Sequence, residues 1–293
     1  MTLHSPRSTA LVDGIGTLID TFDTVLLDQW GVVHDGVTLH DGADEAIRKL
    51  KEAGKNIVIL SNSGKRVDDS YERMRKMGLP PEVFDGVITS GEVVHENLAT
   101  CADPFYENLG NKFLILAWDK NRAIVEGTRF EEVEALSAAD FILCAGTDRQ
   151  DMAAYQPLLD EGIERGLPMI CANPDLVSVQ PDGTLKICPG TIAEAYRAMG
   201  GTVKIHGKPA PEIYAAAERA LTAKGLQMGR AIGVGDSLVH DIKGACDAGH
   251  ASLLICGGIH KDEIGNPITE AGLTEVGETY GVTPDYAAPL FVW

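Results

Sequence analysis

Short apolar runs recur along the chain, each too brief for a helix and each followed by small or polar residues. Runs of this kind are typical of strands that are buried on both faces of a parallel sheet. They lie at residues 25–27, 57–60, 87–88, 232–234 and 252–255. Between them, apolar residues at positions i, i+3, i+4 and i+7 predict helices, as at residues 43–50 and 213–221. This alternation predicts an α/β fold with a doubly wound sheet.

A second alternating series occupies the middle of the chain, with apolar runs at residues 113–116, 141–144 and 169–171. It could continue the first sheet. However, the polar strand ends that could carry chemistry lie before about residue 90 or after about residue 205. Open α/β sheets bind ligands at the carboxyl ends of their strands, so these flanking segments should build one site. The sequence therefore predicts a core of residues 1–88 and 206–293 and an inserted α/β domain of residues 89–205.

The charge of the chain restricts its partners. The 25 Lys and Arg residues against 43 Asp and Glu residues give a net charge of −18, which repels nucleic acids and anionic membrane surfaces. We therefore expect neither nucleic acid nor membrane partners. Any phosphate site must be made locally positive by a metal, a lysine and backbone N–H groups. The six cysteines form no C-x-x-C pair, and the start of the chain lacks a signal-peptide pattern, so the sequence predicts a cytoplasmic protein with reduced thiols.

Polar residues follow the first two predicted strands. Asp28 ends the first strand, close to Gly31, where backbone can approach a ligand. Turn formation or helix capping is the structural alternative for this carboxylate. Ser61 and Asn62 end the second strand and offer a hydroxyl, an amide and N–H groups for phosphate oxygens. Their structural alternative is capping of the helix predicted at residues 67–77.

Two further segments carry chemistry near the end of the chain. Lys208 stands between a glycine and a proline at a helix start, where a cation opposes the helix dipole unless an anion lies nearby. Asp236 follows a strand in a glycine-flanked turn, and Asp241 comes five residues later. Two carboxylates in such a turn suit Mg²⁺, which binds one or two carboxylates together with waters and substrate oxygens. Helix capping explains one of the two carboxylates, not readily both.

These four segments, in this order and context, resemble the four motifs of the haloacid-dehalogenase (HAD) superfamily. Four stretches, two of which contain Asp28 and Lys208, are similar to its class IIA branch of sugar phosphatases and nitrophenylphosphatases; they lie at residues 28–36, 89–91, 172–175 and 207–209. Members of this branch carry a large α/β cap inserted between the second and third motifs. The resemblance covers nearly the whole chain and implies a Rossmann-like core with an inserted α/β cap domain.

The resemblance also implies a reaction. Asp28 would attack the phosphorus of a small phosphorylated metabolite, a sugar-phosphate-like monoester, and form an aspartyl-phosphate. Ser61 and Lys208 would bind the transferring phosphoryl group, with Asn62 as a further phosphate contact.

A metal site is implied as well. Mg²⁺ would be held by Asp28, by the backbone carbonyl of Trp30 and by Asp236, while Asp241 would support these ligands or their waters. Because caps of this size often present dimer surfaces in the family, the resemblance also points to a homodimer.

The chain departs from the family at Trp30. Phosphatases of this superfamily carry a second Asp there, which protonates the leaving group, whereas an indole N–H cannot exchange a proton at neutral pH. One reading is a slow phosphatase in which His34 or Asp35 supplies the proton. A second is a dehalogenase, although the pair Asp236 and Asp241 and the large cap argue against it. A third is a non-catalytic or weakly catalytic protein that binds a phosphorylated ligand, against which the complete motif set weighs.

Substrate specificity is expected to lie in the cap. The candidate residues follow two predicted strands of the inserted domain; they are Asp148, Arg149, Asn173 and Asp175. Helix capping and surface charge are their structural alternatives.

Overall fold

The computed structural model describes residues 8–149, 151–180 and 182–293. By their contacts these residues form two compact units. We call residues 8–61, 71–87 and 208–293 the core unit, and Asn62–Ser70 together with Ile88–Gly207 the inserted unit. The sequence-based domain limits at residues 88 and 206 remain a prediction. The contacts divide the chain at similar points there, but they also group residues 62–70 with the inserted unit.

The strands, in chain order, are β1 Ala10–Leu11, β2 Thr24–Leu27, β3 Asn56–Ser61, β4 Gly86–Thr89, β5 Lys112–Leu116, β6 Glu131–Glu132, β7 Phe141–Cys144, β8 Met169–Cys171, β9 Val177–Val179, β10 Leu185–Ile187, β11 Val203–Ile205, β12 Ala231–Gly235, β13 Ala251–Ile255 and β14 Tyr286–Ala288. The α-helices are α1 Ala43–Glu52, α2 Val67–Lys76, α3 Ser90–Thr100, α4 Pro104–Glu107, α5 Gln156–Glu164, α6 Pro189–Ala198, α7 Pro211–Ala223, α8 Lys243–Asp247, α9 Lys261–Ile264 and α10 Glu270–Tyr280. Short 3₁₀ segments lie at Ile15–Leu18, Pro81–Val83, Ala123–Val125, Leu136–Ala138 and Met152–Ala154, and a π-helical turn lies at Leu238–Ile242.

The larger sheet has the strand order β1-β14-β13-β12-β2-β3-β4 among the described residues. Strand β2 pairs in parallel with β3 on one side and with β12 on the other. Its residues are fully buried because helices cover both faces of a doubly wound sheet. Helix α1 buries the predicted stripe of Ala43, Ala46, Ile47 and Leu50. The carboxyl ends of β2, β3 and β12 therefore lie side by side.

The inserted unit contains a second parallel sheet, with strand order β11-β8-β7-β5-β6, and the antiparallel hairpin β9-β10. Successive side chains of β7 enter different clusters: Ile142 and Cys144 pack with Tyr155 and Tyr196, whereas Phe141 and Leu143 pack in the other cluster. This alternation follows from the period of two along a strand. The sheet is thus covered on both faces, as its continuous apolar runs predict.

The predicted α/β fold is confirmed, and every apolar run singled out in the sequence lies within a strand. Strands β1 and β14 were not predicted; they pair with each other at the edge of the larger sheet. All six cysteines are free. Among the described residues, no helix combines the length and the apolar composition needed to cross a membrane.

Candidate active site

Lys208 lies at the centre of a buried polar cluster in the core unit. Its ammonium group donates to Asp28 Oδ1 at 2.6 Å, to Asp241 Oδ1 at 2.6 Å and to the carbonyl oxygen of Leu60 at 2.8 Å. Burial would lower the pKa of Lys208, but the charges of Asp241 and Asp28 outweigh it and raise the pKa above its ordinary value. Lys208 is therefore a cation, and the anion that its position at the helix start requires is present as two carboxylates.

The strands explain why Asp28 reaches this cluster. Its backbone N–H donates to the carbonyl oxygen of Val234 at 2.9 Å and so extends the β2–β12 ladder by one residue. Asp236 follows β12 directly, so the two carboxylates leave neighbouring strands at the same edge of the sheet. Gly31, with φ of +81°, lies so close to Asp236 that a Cβ atom there would collide with the carboxylate.

Asp28, Asp236 and Asp241 form one carboxylate group, since a ligand oxygen from each lies within 4.8 Å of the others. Burial, followed by the negative charges of Asp28 and Asp241, raises the pKa of Asp236 well above its ordinary value. Backbone N–H groups also hold two of these carboxylates: Asp236 Oδ2 accepts the N–H of Ile259 at 3.0 Å, and Asp241 Oδ2 accepts the N–H of Ser237 at 3.0 Å.

Among the described residues, the ammonium group of Lys208 bonds to two of these three buried carboxylates, which leaves an excess of negative charge away from water. Such an excess is costly unless a cation balances it. The donor set is made of oxygen atoms only, which is the chemistry that Mg²⁺ and Ca²⁺ prefer. The residues present therefore fit a divalent metal ion.

Ser61 and Asn62 are both buried at the end of β3, where they were predicted. Ser61 directly follows Leu60, whose carbonyl oxygen binds Lys208, so the hydroxyl-bearing residue adjoins the cluster along the chain. Asn62 belongs by its contacts to the inserted unit. There its amide nitrogen donates to Asp175 Oδ1 at 2.8 Å.

Trp30 and His34 lie in the loop after β2. The indole ring of Trp30 packs on Gly36 and meets the His34 ring edge-on, with 5.9 Å between the ring centroids. Nδ1 of His34 accepts the N–H of Gly36 at 3.0 Å. Burial lowers the pKa of His34 to about 4, so the imidazole is neutral at pH 7. A neutral imidazole has no readily available proton, and the structure therefore argues against His34 as the replacement acid.

Asp35 is no better suited as an acid. Its Oδ1 accepts the N–H groups of Thr38 and Val37 at 2.7 and 2.8 Å, which lowers the pKa of its carboxyl group. It is therefore ionised at neutral pH and forms an Asx turn in the exposed part of the loop.

The four candidates for substrate specificity make local bonds within the inserted unit. The hydroxyl of Tyr155 accepts the N–H groups of Asp148 and Arg149, and it donates to Asp148 Oδ1 at 2.9 Å. Asn173 Oδ1 accepts the N–H of Asp175 at 2.8 Å. These bonds are turn contacts and not the helix caps weighed as the structural alternative, and a part in specificity stays a prediction.

Two contributors to the cluster were missed from the sequence. Tyr214 lines the same small cavity as Asp28, Lys208 and Asp241, and burial raises the pKa of its phenol. It lay beside the core stripe of α7 without any motif to mark it. Ile259, whose N–H binds Asp236, follows a glycine pair after β13. That pair at a carboxyl strand end was a usable signal.

Comparison with known proteins identifies the family. A model of haloacid dehalogenase-like hydrolases matches residues 25–131, and a HAD-hydrolase-like model matches residues 205–280. The solved structure of a hydrolase of the haloacid dehalogenase-like family from Brucella suis 1330 is 28% identical, with a TM-score of 0.81, and the match covers 96% of this chain and 100% of that one. The chain belongs to the haloacid-dehalogenase-like hydrolases.

Several proteins similar to this HAD-like hydrolase are phosphatases. Sugar-phosphatase AraL of Bacillus subtilis (strain 168) is 28% identical over 270 residues, which cover 89% of this chain and 88% of AraL. A glycerol phosphate phosphatase from Mycobacterium tuberculosis, solved in complex with magnesium, shares the fold at 23% identity; its TM-score is 0.61, and the match covers 86% of this chain and 73% of that one. The HAD core with an inserted α/β cap domain and the hydrolase class, both predicted from the sequence, are confirmed.

Proposed function

We propose that this HAD hydrolase is a magnesium-dependent phosphatase of small phosphorylated metabolites, of the sugar-phosphate type, and that it works through an aspartyl-phosphate. The observation that carries the proposal is the buried cluster in which Lys208 joins Asp28 to Asp241 beside Asp236. It provides a nucleophile, a cation and an oxygen-only metal site within one set of contacts. The similarity to AraL, a sugar phosphatase, supports the substrate class.

Asp28, Asp236 and the backbone carbonyl of Trp30 would hold the metal ion, and Asp241 would keep the ligands in place through Lys208 and the N–H of Ser237. When bound, Mg²⁺ would neutralise negative charge on the phosphoryl oxygens. The raised pKa of Asp236 reflects how unfavourable its charge is without such a cation.

The chain's own residues perform the displacement. A carboxylate oxygen of Asp28 attacks phosphorus as the bond to the leaving oxygen breaks, which yields an aspartyl-phosphate and an alkoxide. Lys208 donates to Asp28 and stabilises charge on the transferring group, together with the hydroxyl of Ser61. A water molecule then attacks phosphorus and releases phosphate and the Asp28 carboxylate. Because Trp30 donates no proton, the alkoxide must take one from water, which favours good leaving groups.

The test is phosphate release from a panel of sugar phosphates and nitrophenyl phosphate in the presence of MgCl₂. We expect Asp28→Asn to lower the rate by about 10³-fold or more, since an amide is not a nucleophile here. Asp44→Asn removes an equal charge from the exposed start of α1 and should leave the rate unchanged. Equal rates for wild type and Asp28→Asn would refute the proposal.

The packing of Trp30 on Gly36 favours a second candidate, a weakly catalytic or non-catalytic protein that binds a phosphorylated ligand. In that case inorganic phosphate would bind with Mg²⁺ in calorimetry while the whole panel stayed unhydrolysed. A dehalogenase ranks below both, because halide departure needs no metal and the carboxylate cluster fits one. Release of bromide or chloride from haloacids would reverse that order.

A further inference from the structure

One turn of the inserted unit contacts Asn62, which follows Ser61 in sequence, and Gly207, which precedes Lys208. On one side, the amide nitrogen of Asn62 donates to Asp175 Oδ1 at 2.8 Å. Asn62 is only 4% exposed and directly follows Ser61. A hydrogen bond to a carboxylate is stronger than one between neutral groups, so this contact restrains the peptide that leads out of β3.

On the other side, Gly207 packs against the same turn and directly precedes Lys208. Its φ is +115°, and a Cβ atom built there would lie 2.7 Å from Asn62 Oδ1 and 2.9 Å from Pro174 Cδ. No side chain fits such a gap. The backbone entering Lys208 thus has Asn62 and Pro174 as direct neighbours.

The turn itself is firmly built. Asn173 Oδ1 accepts the N–H of Asp175 at 2.8 Å, and the carbonyl oxygen of Asp175 accepts the N–H of Gly190 at 3.0 Å. Gly190, in the first turn of α6, leaves no room for a Cβ atom beside Pro174 and Asp175. Asp175 therefore holds Asn62 from a position that is fixed at both its N–H and its carbonyl group.

We propose that Asp175 is a positioning residue for phosphate binding, which acts through Asn62 on Ser61 and through the Asn62–Gly207 contact on Lys208. This inference rests on the proposed function. Its physical reason is that a displacement of about 1 Å at a binding group can cost about 10²-fold in rate. It assigns Asp175 a role on the phosphate side of the reaction instead of the leaving-group side.

The experiment compares variants of the full chain with Mg²⁺. We expect Asp175→Ala to raise the dissociation constant of inorganic phosphate and the KM by about tenfold. Asp175→Asn keeps an acceptor oxygen and should restore most of the affinity. Asp160→Ala, at an exposed position of α5, is the matched control and should resemble wild type. A structural defect alone would affect the Asn and Ala variants similarly.

Hydrogen exchange without any ligand provides a readout independent of turnover. In Asp175→Ala, amides of residues 60–66 and 205–210 should exchange faster while the rest of the chain is unchanged. If this variant does not fold, Asn62→Ala removes the same bond from its other end and should give the same exchange pattern and loss of phosphate affinity. Wild-type phosphate affinity and exchange in either folded variant overturn the positioning role. If the wild type hydrolyses no phosphate ester, the proposed function is refuted instead. Hydrogen exchange in the Asp175 and Asn62 variants still decides whether Asp175 is a positioning residue.

Discussion

Trp30 is the residue on which the proposed chemistry depends most. It stands two positions after the candidate nucleophile, yet its indole ring packs on Gly36 and against the edge of His34. Both nearby alternatives for a proton donor are unsuitable, since His34 is neutral and Asp35 is ionised at neutral pH. Departure of the leaving group is therefore expected to be unassisted.

Trp30→Asp should supply the missing acid. Alkyl phosphates release alkoxides, which are poor leaving groups. We expect kcat for these esters to rise by about 10- to 100-fold, and the dependence of kcat on leaving-group pKa to become shallower. The measurement is a series of phosphate esters of graded leaving-group pKa. Trp30→Phe retains an aromatic ring on Gly36 without adding a carboxyl group and serves as the control. An unchanged slope in Trp30→Asp would mean that protonation does not limit the reaction.

Asp236 tests whether the carboxylate cluster requires a metal. Its pKa is raised, so its charge costs the metal-free fold stability as pH rises from the ordinary carboxyl pKa towards the raised value, and this penalty is absent at low pH. We expect Asp236→Asn to raise the free energy of unfolding of the metal-free protein at pH 8 by about 1 to 3 kcal/mol, and its Tm accordingly. The same substitution should abolish the Tm increase caused by MgCl₂. Asp247→Asn, an exposed carboxylate paired with Lys243, should change neither. If MgCl₂ does not change the Tm of the wild type, the proposed metal site is contradicted.

Some residues of the site could be predicted from the sequence and others could not. Asp28, Lys208 and Asp236 follow strands or open a helix, and the topology of an α/β sheet brings such positions to one edge. Their catalytic and metal-binding roles remain predictions, although the structure places the side chains together. The contribution of Tyr214 and the bond between Asn62 and Asp175 depend on tertiary proximity, which no local pattern records.

At the level of elements, helix α2 is divided between the two compact units. The contacts group residues 62–70 with the inserted unit, while the helix continues to Lys76 in the core unit. The guanidinium group of Arg66 makes two bonds of 2.7 Å to the Glu92 carboxylate, which also accepts the N–H of Val67 at 3.2 Å. Glu92 thus joins the start of α2 to α3 within the inserted unit.

Glu92→Ala should destabilise this junction. We expect a loss of about 1 to 2 kcal/mol in unfolding free energy at pH 7 and faster hydrogen exchange at residues 66–70. Burial raises the pKa of Glu92, but Arg66 and the Val67 N–H lower it further, so the net shift is downward and the contribution is lost as pH falls through the lowered pKa. The difference from wild type in urea unfolding should therefore shrink below about pH 4.

Glu72→Ala is the control for that experiment, because Glu72 lies on the same helix in an exposed pair with Lys76. It should leave the free energy of unfolding almost unchanged, because water screens an exposed pair. Equal losses for Glu72 and Glu92 would show that the partly buried pair of Arg66 and Glu92 contributes nothing beyond a surface pair.

The strands at one edge of the larger sheet could not be predicted from the sequence. Strands β1 and β14 have two and three residues, too few to display any periodicity. They become strands because Ala10 pairs with Tyr286 and Leu253 pairs with the same residue from the other side. The central strands were predictable because burial on both faces demands continuous apolar runs.

For the whole molecule, the net charge of −18 opposes the approach of an anionic substrate. Added salt screens this repulsion, since the Debye length falls from about 30 Å at 0.01 M to about 8 Å at 0.15 M. We therefore expect kcat/KM for a dianionic phosphate ester to rise by about two- to fivefold over this range at saturating MgCl₂. KCl and choline chloride should act alike if screening is the cause. A fall in kcat/KM would instead indicate attraction by a local positive field.

The longer segment of the inserted unit is Ile88–Gly207, and its two ends lie close together because Gly207 packs against Ser90. Because the two ends of this segment lie close together, the segment can be lost, enlarged or exchanged as one piece while the strand order of the larger sheet stays intact. The same geometry offers protein engineers two adjacent sites at which to graft another module.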